Sequence, residues 1–446
     1  MYEQLSATGG IDLIGAFEST YLPAYDVDIA EASGHAERRR DDLEALTALG
    51  VSRLRYPVRW HRVERSQGVY DWAEVDAAMA DFAELGLTPI VDLVHHTSYP
   101  AWLTHAFADE RFGDAYLSYV EAFLSRYPQT REYTLFNEPF ATLWLSGHQA
   151  LWPPYGRGPE AFVRVLRTVL PALAAASRLA KQLLPDARHV WVDTCEHHDG
   201  EPGDPADFGV HCNDRRHAVL DLFLGHDLDV DNRGFLQVLE RAGGEDLFDI
   251  APGRIDVLGL DYYAHSEWWY VRGGGVSPSP YPIGFAALAQ QYAERYGVPV
   301  ILGETNVRGL PSDRATWLKY MAEQYEVAVA AGVPLEGFCW FPVVDSCDWD
   351  SLLARHARRC DPVGIFAPDG GETTLSQSYA YLAKGAAAEA LPAYRLQEPV
   401  ATRLQGYMPS LARWPWQDPP DDEYVAPIDL DTNDLDYASE QLGRAS

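Results

Sequence analysis

The stretch TLFNEPF, Thr134–Phe140, decides how the rest of the chain reads. It closes a short run, REYTLF, of apolar and β-branched residues and then breaks at Asn137-Glu138-Pro139, as a buried strand does on meeting a loop. The break leaves the Glu138 carboxylate at the end of that strand. The pattern returns in GVPVILGETN, where the apolar run Val298–Leu302 stops at Gly303 and delivers Glu304 to an equivalent position. Two glutamates at two strand ends are the minimum equipment for cleaving a glycosidic bond. One protonates the leaving oxygen, and the other attacks the sugar carbon or activates water there.

Working outward from this stretch, strands and helices alternate. Ile11–Glu18, Ser52–Val58, Thr88–His95, Glu132–Phe136, Arg188–Asp193, Ile255–Tyr263, Val298–Glu304 and Leu335–Phe341 read as eight short apolar strands. Helical spacing fills the intervals: Ala36–Leu49, Trp72–Leu85, Arg111–Arg126, Ala161–Leu184 with a kink expected at Pro171, two helices near His217–Leu224 and Gly234–Ala242, Phe285–Tyr296, Asp313–Ala331 and Leu375–Ala388. Eight such pairs predict an α/β fold, a (β/α)8 TIM barrel forming a single domain over residues 1–395, with its site at the carboxyl ends of the strands. Residues 396–446 are rich in Pro and Asp and fit neither template, so they are expected to pack on the surface or stay partly disordered, with Trp414 and Trp416 as anchors.

Composition narrows the partners. A formal net charge of −31 over 446 residues repels phosphate backbones and anionic membranes, which argues against nucleic acid. No run of roughly 18 apolar residues occurs, and the start lacks a basic segment followed by an apolar one, so no membrane partner and a cytoplasmic location are expected. Five cysteines, widely spaced and without a CxxC pair, suit reduced thiols.

Other residues at the strand ends have work to do on a sugar. An arginine such as Arg55 keeps a neighbouring carboxylate ionised, and a tyrosine such as Tyr263 hydrogen-bonds it and fixes its orientation. Asn137, beside the acid, suits a ring hydroxyl, while a flat ring such as Trp340 offers a platform to the apolar sugar face. His95, Asp193, Asp261 and Asn306 complete the strand-end set.

These segments together resemble glycoside hydrolase family 1. RLRYPVRWHRV at Arg53, PIVDLVHHTSYPAWL at Pro89, YTLFNEP at Tyr133, DVLGLDYY at Asp256, GFCWFPVVDSCDW at Gly337 and DPVGIFAPDG at Asp361 follow the family's order from about residue 11 to 390. The resemblance implies a retaining β-glycosidase acting by double displacement on a small carbohydrate, without cofactor or metal. It implies Glu138 as acid/base, Glu304 as nucleophile, Arg55 and Tyr263 as supports of Glu304, and His95, Asn137 and Trp340 as binders of the glycone.

The departures fall in the glycone pocket. GETN stands where the family has glutamate followed by Asn-Gly, Asp261 where it has Asn, and His96 where it has Trp. Asp348-Trp349 replaces Glu-Trp with one residue inserted, and the strand-one Gln is absent, with Glu18 as its substitute. Trp144, Trp152, Tyr155, Trp268, Trp269 and Tyr270 could line the leaving-group side. Transglycosylation and a carbohydrate-binding pseudoenzyme are the alternatives on the same barrel. A metal-dependent hydrolase, prompted by His95-His96, TCEHHDG at Thr194, His211 and Cys212, lacks the HExxH and CxxC spacings. The glycone, the linkage and the oligomeric state are not specified by the sequence.

Overall fold

The computed structural model of the protein describes residues 10–273, 275–349, 353, 359–367, 370–397 and 400. Of the expected tail, residues 396, 397 and 400 are described, with Leu396 and Val400 buried, and the rest, with Trp414 and Trp416, lies outside the described residues. Eight parallel strands close into one barrel: β1 (Leu13–Ala16), β2 (Arg53–Pro57), β3 (Thr88–Asp92), β4 (Glu132–Thr134), β5 (Arg188–Thr194), β6 (Val257–Asp261), β7 (Val300–Glu304) and β8 (Leu335–Trp340). β8 pairs back on β1, Ile14 opposite Cys339, which removes both sheet edges.

The outer layer comprises α1 (His35–Ala48), α2 (Ala73–Leu85), α3 (Phe112–Arg126), α4 (Pro139–Gly147), α5 (Pro159–Leu183), α6 (Asp204–Leu224), α7 (Gly284–Tyr296), α8 (Pro311–Ala330) and α9 (Thr374–Ala383). In α5 the buried residues Phe162, Leu166, Val169, Leu173, Ala176 and Ala180 recur three or four apart, the stripe that packs a helix on a sheet. That helix runs through Pro171 as a single element. Gly86 and Gly297 end α2 and α7 in the left-handed conformation at φ 69° and 66°, which a Cβ would strain.

The strands divide their side chains by alternation. Ile14, Ala16, Ile90, Val190, Val192, Val257, Ile301, Cys339 and Phe341 form one buried cluster that fills the barrel, while the intervening residues join the larger core beneath the helices. Charges close the amino-terminal floor. Arg53 donates to both oxygens of Glu132 at 3.0 and 2.8 Å and to Asp12 at 3.1 Å, and Arg188 pairs with Glu336.

Three features depart from the sequence reading. α4 follows Glu138 directly where a loop was expected, and α6 begins at Asp204, well before the helix expected near His217. Segments after β5 and after β6 that were assigned no strand form a small added sheet, in which Glu267–Val271 lies between His197–Gly200 and Gly275–Pro278. Among the described residues no helix is long and apolar enough to cross a membrane.

Candidate active site

Glu138 sits where β4 hands over to α4. Its backbone is left-handed, φ 44°, a conformation that costs a non-glycine residue about 1 kcal/mol. The position is held from several sides: Asn137 N–H donates to Val94 O at 2.8 Å, Glu138 N–H to Val192 O at 2.9 Å, and Pro139 opens the helix. Asp193, at the end of β5, accepts from the N–H of Phe140 at 2.8 Å and so caps α4 just beyond the glutamate.

Glu304 arrives differently. The register of β7 against β6 shifts between Leu302 and Glu304, a local irregularity that turns the glutamate into the barrel mouth. Its carboxylate is 3% exposed and each oxygen has a donor: Arg55 Nη1 to Oε1 at 2.7 Å and Tyr263 Oη to Oε2 at 2.6 Å. Arg55 also donates to Gly303 O at 3.0 Å and to Asn137 Oδ1 at 2.6 Å. One guanidinium thus orients the carboxylate of β7 and the residue next to Glu138.

Asp261, at the end of β6, lies between the two. Glu138, Asp261 and Glu304 each present an oxygen within 4.8 Å of the others. Among the described residues they are also the group whose spacing could chelate a cation, although Arg55 already supplies a positive charge to Glu304. Burial, with the charges of Glu304 and Asp193, pushes the Glu138 carboxyl well above the usual carboxylate range. Burial, with the charges of Glu304 and Glu138, raises Asp261 in the same direction against the opposing charge of Arg55. A site with one carboxyl oriented by a guanidinium and a phenol, and a second held protonated, has the two partners that acid-assisted displacement needs.

Behind this group stands a second polar layer. His95 Nδ1 lies 2.8 Å from Asp92 and Nε2 lies 3.3 Å from Glu18. Burial opposes the charge on His95, yet Glu18 and Asp92 outweigh it and push the histidine up to about 10. Burial would likewise raise Glu18, but the charge of His95 outweighs it and holds the carboxyl at about 2. Trp349 Nε1 donates to the other oxygen of Glu18 at 3.0 Å. His96, left-handed at φ 48°, bonds Thr142 at 2.8 Å and places Nε2 3.7 Å from Glu138. Burial and the charge of His95 keep it neutral.

A cavity of about 250 Å³ opens over the carboxyls. Glu138, Asp261, Tyr263 and Glu304 line it, with His96, Phe341 and Trp349. Arg55, His95, Asn137 and Glu18 lie behind that wall, each at most 2% exposed, and act on it through the bonds just given. Trp144, Trp152, Trp268 and Tyr270 extend the apolar wall away from the pair, whereas Tyr155 is half exposed and, like Trp269, is not part of the lining. Glu196 and His198, from the segment considered for a metal, also line it and bond each other at 3.0 Å.

Two sequence expectations change. Trp340 is not a platform: its ring is fully buried among the residues under the helices, and its indole N–H donates to Val363 O at 2.9 Å. Because Cys339 faces the barrel, Trp340 faces out and Phe341 faces in, so the ring at the mouth is that of Phe341, 5.6 Å from His95. Asp348 does not grip the cavity either. Its Oδ1 accepts the N–H of Arg359 at 2.9 Å, and its neighbour Trp349 reaches the lining instead. Counting from Phe341 rather than Trp340 also removes the inserted residue. Phe341 is a lining residue that sequence reasoning did not single out, whereas His96 and Trp349 were named only as departures from the family. Strand alternation, counted back from Cys339, was the signal that could have found Phe341.

Comparison with known proteins follows the same lines. Residues 16–223 match the family described as Glycosyl hydrolase family 1. No curated protein matches the chain. Among solved structures, a β-glucosidase from Thermotoga maritima in complex with deoxynojirimycin is 18% identical, with a TM-score of 0.69, covering 84% of this chain and 98% of that one. The same enzyme in complex with azafagomine gives a TM-score of 0.67 at 18% identity, covering 81% and 88%. A family 1 β-glucosidase from the same organism gives 0.66 at 18%, covering 79% and 87%. At this identity the likeness concerns the fold.

Proposed function

We propose that this chain, a glycoside hydrolase family 1-like protein, is a retaining β-glycosidase that hydrolyses a small β-glycoside by double displacement. The observation that carries the reading is the spacing of Glu138 and Glu304, whose oxygens approach within 4.8 Å. Retaining pairs stand roughly 5 Å apart, whereas inverting pairs need about 6.5–9.5 Å to admit a water between carboxylate and sugar. The β configuration is drawn from the names of the structural neighbours, which are β-glucosidases.

In this mechanism Glu138 gives its proton to the glycosidic oxygen while Glu304 attacks the anomeric carbon. The aglycone departs as an alcohol and Glu304 becomes a glycosyl ester. Glu138, now a carboxylate, takes a proton from water as the water oxygen attacks the same carbon, and the Glu304 carboxylate leaves. Arg55 and Tyr263 hold Glu304 in line through both steps. Neutral His96 lies beside Glu138 without competing for its proton.

Intact-protein mass spectrometry after exposure to 2-deoxy-2-fluoro aryl glycosides tests the reading. One glycosyl increment is expected in the wild type and none in Glu304→Gln. Turnover with inversion, followed by NMR of the first-formed sugar, would overturn it. Glu138→Gln should retain labelling by reagents with excellent leaving groups while losing turnover of alkyl glycosides.

A further inference from the structure

We propose that the glycone is a 2-amino-2-deoxy sugar whose C2 ammonium pairs with Asp261. The inference rests on the glycosidase reading above and adds the substrate class to it.

The starting point is the partner count of the buried carboxyls around the site. Glu304 has Arg55 and Tyr263, Glu18 has Thr20 and Trp349, Asp92 has His95, and Asp193 has the N–H groups of Phe140 and Thr194. Asp261 is 1% exposed and, apart from the Glu138 carboxyl, neither of its oxygens receives a hydrogen bond from an N–H or a hydroxyl among the described residues. Its near neighbours are the other two carboxyls, and it lines the cavity. The guanidinium nearby directs Nη1 to Glu304 and Gly303 and Nη2 to Asn137, and none of these bonds reaches Asp261. A buried carboxyl with no donor of its own is costly, and a ligand that supplies one recovers the cost.

The backbone is shaped to keep that carboxyl in place. A Cβ on Gly303 would come within 2.4 Å of Asp261 Oδ1, so the glycine beside the nucleophile leaves the space that the aspartate fills. The N–H of Cys195 donates to Asp261 O at 2.9 Å and fixes the residue against β5.

Position then selects the substituent. Asp261 lies within 4.8 Å of both the attacking and the protonating carboxyl, so it faces the anomeric carbon and its immediate neighbours. Of the two ring atoms bonded to that carbon, only C2 carries a substituent. Charge selects its chemistry. Arg55 pairs with Glu304, and burial with the neighbouring carboxyl charges holds Asp261, like Glu138, protonated, so Asp261 has no cation paired with it. A C2 hydroxyl donates one hydrogen bond but no charge. A C2 ammonium, the form an amino sugar carries at mildly acidic pH, displaces the Asp261 proton to solvent and leaves an ammonium beside a carboxylate. The pairing also serves the reaction. An isolated ammonium next to the anomeric carbon opposes the positive charge that develops there in the transition state, and the Asp261 carboxylate offsets it.

Binding calorimetry at mildly acidic pH, with D-glucosamine and D-galactosamine against D-glucose and D-galactose, tests the assignment without requiring turnover. The amino sugars should bind at least about tenfold more tightly to the wild type, and the preference should vanish in Asp261→Asn. Equal or weaker binding of both amino sugars overturns the proposal, as does a preference for N-acetylglucosamine, which offers a donor without a charge. Hydrolysis is then compared with 4-nitrophenyl β-glycosides bearing 2-amino or 2-hydroxy groups. Selective binding of amino sugars without hydrolysis of any glycoside would reject the glycosidase reading and leave the Asp261 pairing standing. Faster hydrolysis of the 2-hydroxy compounds by the wild type would do the reverse.

Discussion

Replacing Tyr263 by phenylalanine removes one hydroxyl and little else, because the ring stays and so does Arg55 on the other oxygen of Glu304. The lost bond, 2.6 Å from a carboxylate that is 3% exposed, is a charge-assisted one worth about 1.5–3 kcal/mol. The two chemical steps feel the loss unequally. In glycosylation Glu304 surrenders its charge to the sugar, so the hydrogen bond weakens on the way to the transition state, and its removal destabilises the resting enzyme as well. In deglycosylation the carboxylate is regenerated, and the tyrosine stabilises charge that is developing. The full cost therefore falls on the second step, a slowing of roughly 10- to 150-fold by transition-state arithmetic. With an activated aryl glycoside kcat should fall by that factor, KM should fall with it, kcat/KM should change less than about tenfold, and a glycosyl-enzyme should accumulate in quenched samples. Loss of kcat/KM by the same factor as kcat, with no accumulation, would refute this assignment of Tyr263.

Further outcomes follow from the same geometry. Trp340→Phe should lower thermal stability by about 1–3 kcal/mol through its lost bond to Val363 while leaving kcat/KM within a few-fold, and Phe341→Ala should raise KM with little change in melting temperature. Gly303→Ala forces a methyl group against Asp261 and should lower activity far more than its overpacking cost to stability of about 1–3 kcal/mol, as read by parallel kinetics and melts. The pair of Glu18 and His95 sets a stability window. Glu18 is depressed to about 2, so its contribution is present above its ordinary 4.5 and lost as pH falls through about 2. His95 is raised to about 10, so its contribution is complete below its ordinary 6.5 and lost as pH rises through about 10. Chemical denaturation should thus show a loss of stability above pH 6.5 in the wild type that flattens in His95→Gln.

The barrel was legible because each buried strand stops at a residue that cannot continue it. Asn137-Glu138-Pro139 ends one strand and Gly303-Glu304 ends another, and both breaks fall where side chains enter the mouth. What the sequence hid was parity. In the run FCWF, Phe338 to Phe341, either Phe338 and Trp340 or Cys339 and Phe341 could face the mouth. The decision comes from the pairing of Cys339 with Ile14 across the closing strands, a contact between the first and last strands of the barrel. The role of Asp348 was hidden for a related reason, since its carboxylate is turned toward the backbone of Arg359 by a short antiparallel bridge. The added sheet carrying His198, Trp268 and Tyr270 pairs strands almost seventy residues apart, and such pairing leaves no local signature.

The ionic floor of the barrel has a consequence for how this protein can change. Arg53, Glu132, Arg188, Glu336 and Asp12 fasten the strands at one end, and every residue that faces the cavity lies at the other. Closure of the barrel and choice of sugar are thereby assigned to different residues, separated by a plug of aliphatic side chains. A lineage, or a designer, can rewrite the mouth position by position without reopening the question of whether the chain folds. A mouth that departs at several places at once from the family it resembles, on a barrel that still closes, is the kind of molecule such a partition allows.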